Sequence, residues 1–182
     1  HQVDLNDGSP IYRASGKVPG WILNQFSMSE HEGALRVATT DQTWNDWWWQ
    51  PMPGGVVVAP PDEPVALPLA AAEPPRDANN VFVLEPEGTD LAMIGALRGI
   101  APDEQIFAVR FLGDVGYVVT FEQVDPLFTI DLSDPTAPAV LGELHITGFS
   151  TYLHPFGSDH LIGIGHLRDG FGMDKTGNFN VT

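Results

Sequence analysis

Short apolar runs bounded by turn residues dominate this chain, and such runs read as strands. The 16 prolines and 19 glycines are spread throughout, so few stretches carry an uninterrupted i, i+3, i+4, i+7 apolar series and helix signals are scarce. The clearest stretch is 106–146. Ile106–Leu112 (IFAVRFL) is apolar and ends at Gly113-Asp114. Tyr117–Phe121 (YVVTF) is rich in β-branched and aromatic residues, and Leu127–Leu132 (LFTIDL) follows an Asp125-Pro126 turn. After the break at Ser133-Asp134-Pro135, Val140–Ile146 (VLGELHI) closes an antiparallel meander of four strands.

The four strands differ in alternation. The second and third carry little, which is what a strand covered on both faces needs. The last interleaves Leu141, Leu144 and Ile146 with Glu143 and His145, the pattern of an outer edge strand half in water.

The same pattern repeats. Phe128-Thr-Ile-Asp-Leu matches Phe82-Val-Leu-Glu-Pro at an offset of 46, and Val140-Leu-Gly-Glu-Leu matches Met93-Ile-Gly-Ala-Leu at 47. Leu161-Ile-Gly-Ile-Gly matches Tyr117-Val-Val-Thr-Phe at 44, with Phe156-Gly157 and Leu112-Gly113 in the same register. A period of 44–48 residues is near that of β-propeller blades, and buried inner strands with a wetter outer edge are what stacked blades require. The chain therefore reads as all-β, a single partial β-propeller domain over 1–182 built of four-stranded antiparallel blades. One blade spans about 20–98, with strands at Ile22–Phe26, Leu35–Thr40, Val81–Leu84 and Leu91–Leu97 and an insertion at 41–79. A second spans about 105–147, and an incomplete third, about 149–182, has strands at Ser150–Pro155 and His160–Gly165 and stops before its third strand. Ile11–Ala14 fits a lone outer strand of a preceding blade, and 60–79 reads as a flexible, partly polyproline loop.

Charge narrows the partners. The formal net charge is −16, from 24 acidic against 8 basic residues, a field that repels phosphate backbones and argues against nucleic acid. It suits cations, basic partners or a salty extracellular medium. Without cysteine there are no disulfides, thiolate metal sites or thiol catalysis. No apolar run approaches the roughly 18 residues of a membrane span. A start at His1 reads as a mature product or an excised piece.

Trp44, Trp47, Trp48 and Trp49 are the most conspicuous cluster. Strand neighbours alternate faces, so three successive tryptophans cannot all enter one core. Exposed flat rings suit carbohydrate stacking or a protein hot spot; the competing reading is that they cap the propeller rim or pack under their own loop. His154, His160 and His166, spaced six apart, are weak metal candidates beside a plainer structural role. Asp125, Asp131 and Asp134 accompany prolines and read as turn formers. Asp169 to Asp174 lacks the alternating oxygens of a calcium loop. No Gly-x-Ser-x-Gly, phosphate loop or dinucleotide glycine motif occurs. No catalytic residue and no cofactor is expected, with a divalent cation such as calcium left open.

Certain segments are distinctive as wholes. Gly99 to Gly113, Tyr117–Phe121, Asp125 to Pro135, Gly142 to Pro155 and His160–Gly165 together resemble a family of secreted bacterial and archaeal proteins with a C-terminal β-propeller distantly related to WD repeats. The resemblance covers about residues 20–40 and 80–166, and the 41–79 insertion departs from it. It implies a propeller fold, a secreted or cell-envelope location and further blades beyond Thr182, and it carries no reaction. The expectation is a non-enzymatic binding scaffold for a protein or a surface polysaccharide, with self-association through open blade edges as a further option. The alternative is a hydrolase or lyase with an acidic, possibly cation-bearing site at the propeller axis.

Overall fold

A computed structural model describes residues 1–5, 8–41, 78–121, 125–146, 148–166 and 180–181. After a small ribbon of β1 (Gln2–Asp4) and β2 (Ile11–Ala14), three sheets follow in chain order. The first holds β3 (Met28–His31), β4 (Ala34–Asp41), β5 (Ala78–Glu87) and β6 (Asp90–Ile100). The second holds β7 (Gln105–Leu112), β8 (Val115–Phe121), β9 (Asp125–Asp131) and β10 (Ala139–Ile146). The third holds β11 (Phe149–Phe156), β12 (His160–His166) and β13 (Asn180–Val181). Within each sheet the spatial order is the chain order and neighbours run antiparallel, so each is a meander.

The sequence repeat lands on equivalent strands. Phe82 and Phe128 lie on third strands, Met93 and Val140 on fourth strands, and Tyr117 and Leu161 on second strands. Gly113 turns the first hairpin of the second sheet at φ 52°, a left-handed conformation that glycine adopts without the Cβ clash.

Burial explains the weak alternation of the inner strands. Ala34, Val81 and Val83 of the first sheet pack with Val109, Phe111, Val118, Phe128 and Ile130 of the second. On the other side of the second sheet, Ala108 and Val119 pack with Leu153 of the third. β8 is thus covered on both faces, and each such valine contributes about 1.5–3 kcal/mol. β10 is exposed from Ala139 to His145, as an outer strand should be.

Two contacts bind the first sheet to the second beyond apolar packing. Buried Asn79 donates to the carbonyls of Ile100 (3.0 Å) and Glu104 (3.1 Å) and accepts from the Thr40 hydroxyl (2.7 Å). It thereby ties the crossover between the sheets to β4. At the far side, the β9–β10 loop lies on β6 so closely that a Cβ on Gly95 would sit 2.1 Å from the Pro135 carbonyl oxygen.

Four local expectations change. The first strand of the first sheet is Met28–His31, not Ile22–Phe26. Asn24 caps a 3-10 turn over Gln25–Ser27 by accepting from the Phe26 amide (2.9 Å), which ends any strand before it starts. Ile11–Ala14 is not alone, since it pairs with Gln2–Asp4. The third sheet does contain a third strand, with Ile164 opposite Val181. Residues 78 and 79 belong to β5 instead of a loop, because they complete the ladder against Asp41 and Thr40. The rest of the 42–77 segment lies outside the described residues.

Candidate functional site

β3, β7 and β11 each stand at the edge of their sheet, with one long side unpaired among the described residues. The open sides of β7 and β11 come together, with the turn that precedes β3 against β7. Arg110 sits on β7 as the lone charge in IFAVRFL. Its Nε donates to the Leu153 carbonyl on the free edge of β11 (3.0 Å), and its Nη2 donates to the Tyr152 hydroxyl (3.0 Å). The guanidinium also lies 4.4 Å from the ring centroid of Phe26, just before β3, and 5.3 Å from that of Tyr152. Phe26 and Tyr152 touch each other, with centroids 5.4 Å apart. The turn before the first sheet therefore meets the third sheet directly, and a cation supplied by the second lies beside both rings.

Each part is placed by local rules. The Asn24 cap fixes the turn that carries Phe26. Arg110 is half-buried, and its flat guanidinium both stacks on rings and forks between two acceptors, which a lysine ammonium does not do. A cation over an aromatic ring gains about 0.5–2 kcal/mol as water is excluded, and here one cation lies against two rings. Tyr152 then passes the connection outward, since its hydroxyl lies 3.2 Å from Nδ1 of exposed His154. The result is a patch of two rings, a guanidinium and an imidazole. Such a patch suits an anionic or flat partner.

A second polar group lies between the first two sheets. Arg36 on β4 is only 3% exposed. Its Nη2 donates to the Ser29 hydroxyl (2.8 Å), its Nη1 donates to the Gly113 carbonyl, and its plane covers the Phe111 ring at 5.2 Å. Burial lowers the pKa of this guanidinium from its ordinary value, while the carboxylates of Asp114 and Glu30 pull the other way. Asp114 also lies 3.1 Å from Nε2 of His31.

Residues 1–181 match the family described as the beta propeller domain. The chain belongs to that family. Its sheets are blades, and β3, β7 and β11 are their first strands. The chain is 41% identical over 168 residues to an uncharacterized protein of Methanocaldococcus jannaschii, covering 92% of this chain and 22% of that protein. It is 40% identical over 148 residues to an uncharacterized protein of Archaeoglobus fulgidus, covering 81% of this chain and 18% of that protein. The chain thus spans about a fifth of the length of these relatives.

Trp44, Trp47, Trp48 and Trp49 lie outside the described residues. Their segment leaves the first blade at Asp41 and returns at Ala78, and these two residues pair with each other. His154 and His160 are diagonal neighbours on the β11–β12 hairpin, as His154 pairs with Ile162 and Phe156 with His160. His166 ends the same strand that His160 begins, about 20 Å away at ~3.3 Å per residue. The three histidines therefore do not come together. Among the described residues no three His, Asp or Glu side chains gather in a way that would hold a metal ion. Among the same residues no helix is long and apolar enough to cross a membrane. Asp131 and Asp134 do form turns: each accepts from the amide two residues on, at Ser133 and Thr136 (both 2.9 Å).

The expectation missed Phe26, Arg110 and Tyr152. One signal pointed to Arg110: a single charge inside a strand otherwise apolar on both faces requires a built partner set.

Proposed function

We propose that this β-propeller acts as a non-enzymatic binding scaffold in a secreted or cell-envelope protein, and that its ligand is a carboxylate-bearing surface polysaccharide. The observation that carries the reading is the meeting of Phe26, Arg110 and Tyr152 from three successive blades, with His154 exposed beside them. Sugar rings stack on aromatic faces, and a carboxylate matches the donors of a guanidinium. The charge of the patch supports this choice further. In a chain of net charge −16, a cationic inner junction draws an acidic polymer to one place and leaves the acidic outer surface to repel it elsewhere. The same sign works against a divalent cation, and so against the cation-assisted hydrolase or lyase.

Calorimetry with the 182-residue chain tests it, using polygalacturonate against uncharged dextran. Binding to the first that weakens about tenfold in Arg110→Gln, and no binding to dextran, is the expected result. Equal binding to both polymers, or polygalacturonate binding untouched in Arg110→Gln, overturns it.

A further inference from the structure

The hydrogen bonds at the Arg110 junction have a direction. A guanidinium can only donate, so Arg110 Nη2 donates to the Tyr152 hydroxyl oxygen at 3.0 Å. That oxygen lies 3.2 Å from Nδ1 of His154, two residues further along the same face of β11. The rings of Tyr152 and His154 are 6.0 Å apart between centroids, and Phe26 lies against the tyrosine ring at 5.4 Å. A cation, a phenol and an imidazole thus stand in line, from half-buried Arg110 to exposed His154.

One proton decides what passes between Tyr152 and His154. The phenol has a single hydrogen, and its oxygen already accepts from a cation. A second donor on that oxygen would set another positive hydrogen beside the guanidinium. Accepting from a cation also polarises the hydroxyl and makes its own hydrogen the stronger donor. The Tyr152 hydroxyl therefore donates, and Nδ1 of the neutral His154 ring accepts. A neutral imidazole whose Nδ1 accepts carries its proton on Nε2. His154 is exposed, and its Nε2 has no hydrogen-bond partner among the described residues.

We propose that Tyr152 is a positioning residue, and that the Arg110–Tyr152–His154 chain fixes His154 in the Nε2–H tautomer as a second donor of the binding patch. The inference rests on the polysaccharide reading for the identity of the ligand and not for the order of the protons. Guanidinium and Nε2–H then both donate, and neither accepts. The ligand atoms they face are acceptors: a carboxylate at Arg110, and a carboxylate or hydroxyl oxygen of the same polyuronate at His154. A ligand that must donate at His154 sets two N–H groups against each other and is rejected.

Nitrogen NMR of the 182-residue chain at about pH 8, above the ordinary histidine range, reads the tautomer from the His154 ring, whose signals are identified by their loss in His154→Gln. The wild type shows one neutral form, with the proton on Nε2. Tyr152→Phe keeps both rings and removes the hydroxyl, and the Nδ1–H form appears beside the other. Calorimetry with polygalacturonate is the second readout. His154→Ala weakens binding about fivefold, His154→Gln recovers most of it through an amide N–H near the Nε2 position, and Tyr152→Phe weakens it about threefold. A wild-type ring with its proton on Nδ1, or a wild-type mixture equal to that of Tyr152→Phe, overturns the proposal. Polygalacturonate binding unchanged in His154→Ala overturns it too. Absence of polygalacturonate binding in the wild type sinks the polysaccharide reading instead, and a single Nε2–H form then still upholds the chain of donors.

Discussion

Arg110 on the first strand of one blade donates its Nε to the Leu153 carbonyl on the first strand of the next, at 3.0 Å. One carbonyl of a strand edge without a strand partner among the described residues is thus satisfied by a side chain. Arg110→Ala removes this bond, the bond to Tyr152 and both ring contacts. The expected loss is about 2–4 kcal/mol in urea unfolding, from charge-assisted hydrogen bonds and cation–π contacts together. Arg110→Lys keeps the charge but not the fork and recovers less than half. A variant that unfolds like the wild type contradicts the assignment.

Gly95 faces the Pro135 carbonyl, and its repeat mate Gly142 on β10 has nothing within 4 Å of a built Cβ. Gly95→Ala drives a methyl into backbone of the neighbouring blade and costs about 2 kcal/mol, within the range for overpacking. Gly142→Ala is expected to be neutral or slightly stabilising, since alanine narrows the unfolded ensemble. Thermal melts of the pair decide it: equal shifts for both positions refute the docking contact.

Asn79 is the buried polar hub of the crossover between the first two blades. Asn79→Asp replaces two donated hydrogen bonds to carbonyls with repulsion and buries a charge, and is expected to cost more than 3 kcal/mol. Asn79→Ala leaves the carbonyls unpaired and costs about 2–3 kcal/mol. Denaturant midpoints that place Asp above Ala contradict this order.

Asp131 and Asp134 each accept from the hydroxyl and then from the amide of the residue two on, which holds both carboxyls below their ordinary range. Depressed folded values mean the turns are fully held above the ordinary unfolded carboxyl range, near pH 4, and are released as pH falls through the lower folded values. Amide exchange at Ser133 and Thr136 is expected to quicken in that acid window and to stay slow above it. Asp131→Asn and Asp134→Asn should remove the pH step; a step that persists in both places its origin elsewhere.

Much of this architecture was readable because it is carried by repetition. Phe82 and Phe128, or Tyr117 and Leu161, mark the same strand in successive blades, and the runs around them are long and apolar enough to need no tertiary hint. The first strand misled for a local reason. Ile22 and Leu23 look like strand residues, yet both are exposed (44% and 46%), and the Asn24 cap turns the chain before β3 begins. The inner junction was hidden for a different reason. Phe26, Arg110 and Tyr152 acquire meaning only when successive blades are packed side by side, and no spacing within a single blade encodes that. The lone arginines in IFAVRFL and ALRVATTD were the trace left in one dimension: each is a charge that a doubly covered strand tolerates only with its partners prepared.

The placing of Pro135 over Gly95 gives the array a direction. A loop of the later blade roofs the outer strand of the earlier one, so shelter passes backward along the chain. Damage to the β9–β10 loop should therefore bare β6 upstream while β11 and β12 downstream keep their packing on Ala108 and Val119. Stability in such a stack is nearest-neighbour in character, and here the neighbours are not equivalent: the first blade depends for its outer cover on the one synthesised after it, while the outer strand of the second stays open. During translation the outer strand of the first blade waits, uncovered, for its successor.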